Sequence, residues 1–203
     1  MSRINERDGI ELLKHGDAIE LGRLADAKRR ELFGDTVTFI VDRNINYTNV
    51  CKNECKFCAF FRRKEHKDAY LLTYDEILAK VKETVAAGGT QVMIQGGLYP
   101  DLGLEYYEKM LRLIRDEFPS ITIHSFTATE IQYFAQQAGI SVLDTLKRLQ
   151  EAGLASLPGG GAEILVDEVR KRVSPKKIMT DDWLKVMECA QSIGMESTAT
   201  MVI

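Results

Sequence analysis

The sequence predicts an α/β fold built on a parallel sheet. Apolar, β-branched runs alternate with amphipathic segments of helical period, and glycine or proline closes each amphipathic segment. The alternation occurs four times and ends on a fifth apolar run, as in a chain of strand–helix–strand units. A doubly wound sheet and a (β/α) TIM-type barrel both fit this pattern. The polar and glycine-rich stretches fall directly after strands, and in a barrel such loops converge on the face where active sites are built. That placement favours the barrel.

Residues 1–35 read as an N-terminal helical segment and 36–203 as the barrel core. "DGIELLKHG" reads as a helix capped by Asp8 and stopped at Gly16, and "DAIELGRLADAKRREL" as a second helix capped by Asp17. "TVTFIVDRNINYTN" reads as a strand entering a cysteine-rich loop. "TYDEILAKVKETVAAGG" is a helix, "TQVMIQGG" a strand, "LEYYEKMLRLIRDEFP" a helix and "ITIHSF" a strand. Two helices follow, "ATEIQYFAQQAG" and "SVLDTLKRLQEAG". "LASLPGGGAE" is a brief strand entering a glycine-rich turn, "TDDWLKVMECAQSIG" a helix and "ESTATMVI" the fifth strand. That strand has no helix after it, although parallel strands are normally buried on both faces. The expectation is a barrel truncated after its fifth strand, with about three further units to be supplied.

The 203 residues carry a formal net charge of −3. A nucleic-acid scaffold would be basic, so none is expected. The cluster Arg62, Arg63, Lys64 and Lys67 is short, broken by Glu65, and reads as a solvated loop. No run of about eighteen apolar residues suggests a membrane span, and "MSRINERDGIELL" lacks the apolar core of a secretory signal. The expected location is the cytoplasm, where clustered cysteines imply metal or redox chemistry rather than disulfides. Cys189 stands alone on an amphipathic segment and reads as a small core residue.

"NYTNVCKNECKFCAFF" places Cys51, Cys55 and Cys58 in a C-x3-C-x2-C pattern. Three thiols are one short of a closed tetrahedral site. A zinc site would need a fourth ligand, and His66 is the nearest. An electron-carrying cluster would want four thiolates. A 4Fe-4S cluster held by three thiolates leaves one iron open to a ligand that is not protein. Later stretches add polar groups at strand ends. "QGG" (Gln95, Gly96, Gly97) is either a tight turn or a backbone ligand site. His124 and Ser125 suit substrate contact or proton transfer, or a structural role. "PGGGAE" (Pro158–Glu163) lets backbone approach a ligand, with Glu163 as a hydrogen-bond acceptor or merely a helix-starting acid.

The cysteine pattern, with Phe57 before the third cysteine, resembles the hallmark of the radical S-adenosylmethionine (SAM) superfamily. The resemblance implies a full or partial (β/α) barrel, a 4Fe-4S cluster on Cys51, Cys55 and Cys58, and SAM chelated at the open iron. One-electron cleavage of SAM then yields a 5′-deoxyadenosyl radical. By match, Phe57 lies near the adenine, and Gly96 and Gly97 meet the methionine amino group, with Gln95 as the available polar side chain. The family's usual acidic third member is replaced by Leu98. Ser125 and Glu163 are implied as further SAM contacts.

"VDRNINYTNVC", "GGTQVMIQGG", "PDLGLEYYE", "IHSFTATEI", "PGGGAEIL" and "TATM" resemble one branch of that superfamily. It contains cyclic dehypoxanthinyl futalosine synthase, aminofutalosine synthase and the tyrosine-using subunit of deazaflavin (FO) synthase. The likeness is strongest to the first. It implies ring closure of a nucleoside-type substrate in menaquinone biosynthesis, with an external electron donor of flavodoxin or ferredoxin type. His124 and Glu163 are the candidate proton acceptors, and Arg43 and Arg170 the candidate partners for a substrate carboxylate. A zinc-stapled interaction domain is the non-enzyme alternative.

Overall fold

The computed structural model describes residues 4–202. The chain divides into two compact units, one ending at Phe39 and one starting at Ile40. The first holds α1 (Glu6–His15) and α2 (Ala18–Phe33). Asn5 caps α1, its side chain accepting from the Asp8 N–H. Asp8 is therefore not the cap the sequence suggested. It lies inside the first turn, where an acid meets the positive end of the helix dipole. Asp17 caps α2, accepting from the N–H groups of Ile19 and Glu20, both at 3.0 Å.

The second unit is a five-stranded parallel sheet: β1 (Asp42–Asn46), β2 (Gln91–Gln95), β3 (Thr122–Ser125), β4 (Ser156–Leu157) and β5 (Glu196–Ser197). The strands lie side by side in chain order, each pairing with the next in parallel. A doubly wound sheet reverses its strand order; this one does not, so it is the wall of a barrel. β1 starts at Asp42, six residues later than the β-branched run suggested. Val37, Phe39, Ile40 and Val41 are exposed, and strand propensity without a packed face does not make a strand.

Helices α3 (Tyr74–Ala86), α4 (Leu104–Glu117), α5 (Ala128–Ala138), α6 (Val142–Ala152), α7 (Asp167–Val173) and α8 (Thr180–Ser192) connect the strands. Only α7 was not legible in the sequence. Its seven residues, DEVRKRV, bury Arg170 alone, so no apolar period announces it. Alternation along the strands separates two faces. Ile45, Val92, Ile94 and Ile123 share one core with Leu111, Ile114, Leu146, Leu149 and Val186 of the helices. Each such side chain contributes roughly 1.5–3 kcal/mol by leaving water, which fixes the strands. Asn44, Asn46 and Gln95 occupy the other face and line a cavity at the strand ends.

Candidate active site

The cavity, about 320 Å3, is walled by the loops after β1, β2, β3 and β4. The loop after β1 is folded by its own polar groups. Asn49 donates to the Asp68 carbonyl at 2.8 Å and accepts from the Tyr70 N–H at 2.9 Å. Thr48 donates to the Tyr70 carbonyl at 2.5 Å. The Cys51 N–H donates to the Arg62 carbonyl at 3.2 Å. At the tip, Glu54 takes a left-handed φ of 47° and is braced by Arg63 at 2.9 Å and Lys176 at 3.0 Å. Cys51, Cys55 and Cys58 all line the cavity, and all three are free thiols. Burial pushes the Cys55 thiol up, opposed by the nearby Lys177 ammonium.

The turn after β2 packs against that loop. A Cβ on Gly97 would lie 2.1 Å from the Val50 carbonyl oxygen, and one on Gly96 2.7 Å from the Tyr47 ring. Only glycine fits at either position. The Lys52 N–H donates to the Leu98 carbonyl at 3.3 Å, joining the two loops. Glu130, in the first turn of α5, also lines the cavity. Its Oε1 accepts from the Gly96 N–H at 3.0 Å and from the Tyr47 hydroxyl at 2.9 Å.

The glycine loop after β4 is held from behind by Arg170, which is 1% exposed. The guanidinium donates to the carbonyls of Gly161 (3.1 Å), Ile164 (3.2 Å) and Ile178 (2.6 Å), and to that of Ala162. Five rigid donors suit such a cluster of carbonyls. Gly161 takes φ 85°, with space for a Cβ closed by the Thr129 hydroxyl at 2.9 Å. Glu163 has φ 40°, a left-handed conformation that costs a non-glycine residue energy and is found at functional sites. Its Oε1 accepts from Lys177 Nζ at 2.6 Å. Its Oε2 and the Thr129 hydroxyl are buried with no hydrogen-bond partner among the described residues. Lys177 also lies 5.7 Å from the centroid of the Phe57 ring, within cation–π range.

Cys51, Cys55, Cys58, Phe57, Gln95, Gly96, Gly97 and Glu163 thus meet at one cavity. His124 and Ser125 do not line it. Ser125 is fully buried and its hydroxyl accepts from the Ile94 N–H at 3.2 Å. Its register partner is Ile94, so it sits on the helix-facing side of the sheet. His124 pairs with Met93 on the inner face but lies a layer below Gln95. Its Nδ1 is 2.6 Å from the Ser156 hydroxyl, and burial holds its imidazole below the usual histidine range. Neither arginine suggested for a carboxylate lines the cavity. Arg43 pairs with Glu83 at 2.6 Å, and Arg170 is spent on carbonyls and on Glu163 Oε2 at 3.9 Å. Cys189 packs against the core. Glu130, Thr129 and Lys177 escaped the sequence reading: the first two read as ordinary residues of the helix "ATEIQYFAQQAG", and a lysine in "SPKKIMT" carries no motif.

The donor set discriminates between metals. A single zinc ion draws its ligands to about 2.0–2.3 Å. Among the described residues, no three His, Cys, Asp or Glu side chains form a group that could hold one ion. His66 is half exposed, accepts from the Asp68 N–H at 3.1 Å and is not a cavity residue. A multi-iron cluster spreads its thiolates more widely than one ion does. Three free thiols on one cavity, next to the buried Thr129 hydroxyl that lacks a hydrogen-bond partner among the described residues, fit a cluster with an organic ligand beside it.

Comparison with known proteins agrees. A cyclic dehypoxanthine futalosine synthase from Halalkalibacterium halodurans is 42% identical over 202 residues, covering 99% of this chain and 55% of that protein. One from Streptomyces coelicolor is 43% identical over 205 residues, covering 99% and 51%. A 5-amino-6-(D-ribitylamino)uracil–L-tyrosine 4-hydroxyphenyl transferase from Archaeoglobus fulgidus is 46% identical over 183 residues, covering 90% and 52%. The chain therefore spans about half the length of the curated relatives it matches. Two solved structures share the fold. The [FeFe]-hydrogenase maturase HydG aligns with a TM-score of 0.75 at 18% identity, covering 98% of this chain and 43% of that one. Methylornithine synthase aligns with a TM-score of 0.70 at 21% identity, covering 97% and 55%. The family model of the radical SAM superfamily matches residues 45–203, which contain the thiols, the glycine turn, the end of β1 and all of β2 to β5, and the chain belongs to that superfamily.

Proposed function

We propose that this chain carries the cluster- and SAM-binding part of a radical enzyme that closes a ring on a nucleoside-type substrate, as cyclic dehypoxanthine futalosine synthase does. The observation that carries the reading is the meeting of Cys51, Cys55 and Cys58 with the Gly96–Gly97 turn on one cavity. The likeness to the two futalosine synthases supports the finer assignment. When bound, the cluster and SAM supply hydrogen-atom abstraction from an unactivated carbon.

The chain's own residues bind, orient and shield. The three cysteines hold a 4Fe-4S cluster. Phe57 is 51% exposed at the cavity, so its ring is free to stack on a base. The glycine turn lets backbone carbonyls approach an ammonium, because no Cβ intervenes. Glu163, at the cavity wall, would accept from ribose hydroxyls and is the better-placed proton acceptor, whereas His124 lies a layer deeper. Lys177 is the sole basic side chain among the described residues lining the cavity, so a ligand carboxylate meets it there. Phe57, Phe60 and Phe61 line the cavity with aromatic surface, which excludes water once a ligand is seated. Electrons come from an external one-electron donor. Among the described residues, no helix is long and apolar enough to cross a membrane.

The second reading is transfer of the tyrosine side chain, favoured by the 46% identity to the Archaeoglobus fulgidus transferase. Anaerobic incubation with dithionite, SAM and each candidate substrate decides between them by product mass. Cyclised dehypoxanthine futalosine supports the first reading and a hydroxyphenyl adduct the second. Absence of 5′-deoxyadenosine from a chain loaded with iron and sulfide refutes both.

A further inference from the structure

We infer that Glu130 is a positioning residue: its one carboxylate fastens three successive strand ends together and so sets the conformation of the Gly96–Gly97 turn. Glu130 is 1% exposed. Oε1 accepts from Gly96 and Tyr47, and Oε2 accepts from the Thr127 N–H at 2.8 Å and the Thr127 hydroxyl at 2.9 Å. Tyr47 follows β1, Gly96 follows β2 and Thr127 follows β3. Four donors fill the four lone-pair sites of a carboxylate. Glu130 thus has no capacity left for a ligand and acts through the groups it holds.

A second capping box shows what is unusual. At α3, Glu76 caps with Thr73 in the same manner, through Oε2 alone, and remains exposed. Capping requires no more than that. Glu130 performs the same task with one oxygen and spends the other on the neighbouring strand connections. No acid lies within the turn itself, which reads Gln95, Gly96, Gly97, Leu98; its carboxylate arrives from α5. The titratable groups facing Glu130 are the phenols of Tyr47 and Tyr107, both held above the usual tyrosine range by burial. Among the described residues no basic side chain pairs with it. Its charge rests on dipoles alone, and burial lifts its carboxyl to about 7. Protonation turns one acceptor position into a donor, so the hydrogen bonds that hold the turn change as the carboxyl titrates.

The functional half of this inference rests on the cavity being a SAM site, so the test has two arms. The first is amide hydrogen exchange of the full chain, anaerobic and loaded with iron and sulfide. Glu130→Gln retains the size but aims an amide N–H at one donor pair. Protection of the peptide containing Gly96 is expected to fall about tenfold, the loss of roughly one net hydrogen bond, while α3 peptides are unchanged. In the second arm, dialysis against SAM is expected to show weaker binding by about tenfold or more at unchanged cluster absorbance. Unaltered Gly96 protection, with loss confined to the first turn of α5, reduces Glu130 to a helix cap and overturns the inference. Unaltered SAM affinity despite a loosened turn overturns its functional half. Should Glu130→Gln fail to fold, Tyr47→Phe removes one donor. The pH midpoint of Gly96 protection must then move upward, and an unmoved midpoint is equally fatal. A wild-type chain that takes up no SAM while the exchange arm behaves as expected refutes the proposed function and leaves the fastening of the turn intact.

Discussion

Glu130 also makes a signed prediction about stability. Its carboxyl rises from 4.5 to about 7 on folding, chiefly through burial, and the hydrogen bonds from Thr127, Tyr47 and Gly96 offset only part of that. Between those values the folded chain holds a proton that the unfolded chain has released. Stability therefore falls as pH rises. The contribution is complete below about pH 4.5 and gone above about pH 7. A gap of about 2.5 pH units, at about 1.4 kcal/mol each, makes the change on the order of 3 kcal/mol. Glu130→Gln abolishes this titration and leaves all others in place. Urea unfolding of the metal-free chains, under reducing conditions from about pH 5 to about pH 8, isolates it as wild type minus variant. That difference is expected to drop by on the order of 3 kcal/mol across the series. A flat difference, or one that grows with pH, shows that the four hydrogen bonds outweigh burial, and the account of Glu130 as a costly buried charge fails.

Arg170→Met strips the donors from four loop carbonyls. At about 1–3 kcal/mol per buried orphan, the midpoint of thermal unfolding should fall sharply and proteolysis should open at residues 158–163; an unchanged midpoint contradicts the clasp. Gly97→Ala places a methyl 2.1 Å from the Val50 carbonyl oxygen and 2.7 Å from the Cys51 Cβ. Iron uptake and SAM affinity should both drop while far-ultraviolet dichroism is retained; normal uptake would mean that the two loops are not packed as described. Cys55→Ala should abolish iron-derived absorbance after anaerobic reconstitution, whereas Cys189→Ala, far from the cavity, should preserve it.

The fold was legible because its local signals agree with one another. Amphipathic periods closed by glycine or proline mark the helices, the capping boxes of Thr73 with Glu76 and Thr127 with Glu130 agree with two of their starts, and short apolar runs mark β2 and β3. α7 was hidden because a short helix whose single buried residue is an arginine has no apolar stripe. Within the site, the cysteines and glycines were visible since their spacing is itself the chemistry. His124 and Ser125 lie off the cavity for a physical reason: strand register decides which face and which layer a side chain occupies. Ser125 aligns with Ile94 and so turns toward the helices. Glu130 reads only as part of the helix "ATEIQYFAQQAG", although a capping glutamate directly after a strand end, opposite a glycine turn, is a signal that could have found it. Lys177 lies in a charge run that ordinarily marks solvated surface, and only the folded α7–α8 connection brings it to Glu163.

The cavity adjoins backbone-to-backbone loop contacts on one side and exposed aromatic side chains on the other, and under the proposed function this bears on which reaction is run. Its floor is backbone. The Lys52 N–H reaches the Leu98 carbonyl, the Lys56 N–H reaches the Val173 carbonyl at 2.9 Å, and the glycines allow the loops to touch. Such a floor holds a cluster and its ligand without regard to the substrate. The remainder of the lining includes aromatic side chains, Phe57, Phe60 and Tyr70, all exposed, which exchange for one another at little cost to the fold. Relatives with two different named activities match this chain at 42% and 46% identity. Under the proposed function the choice between ring closure and side-chain transfer falls to the groups that would touch the substrate, so exchanging Phe60 or Tyr70 should alter the ratio of products before it alters the formation of 5′-deoxyadenosine.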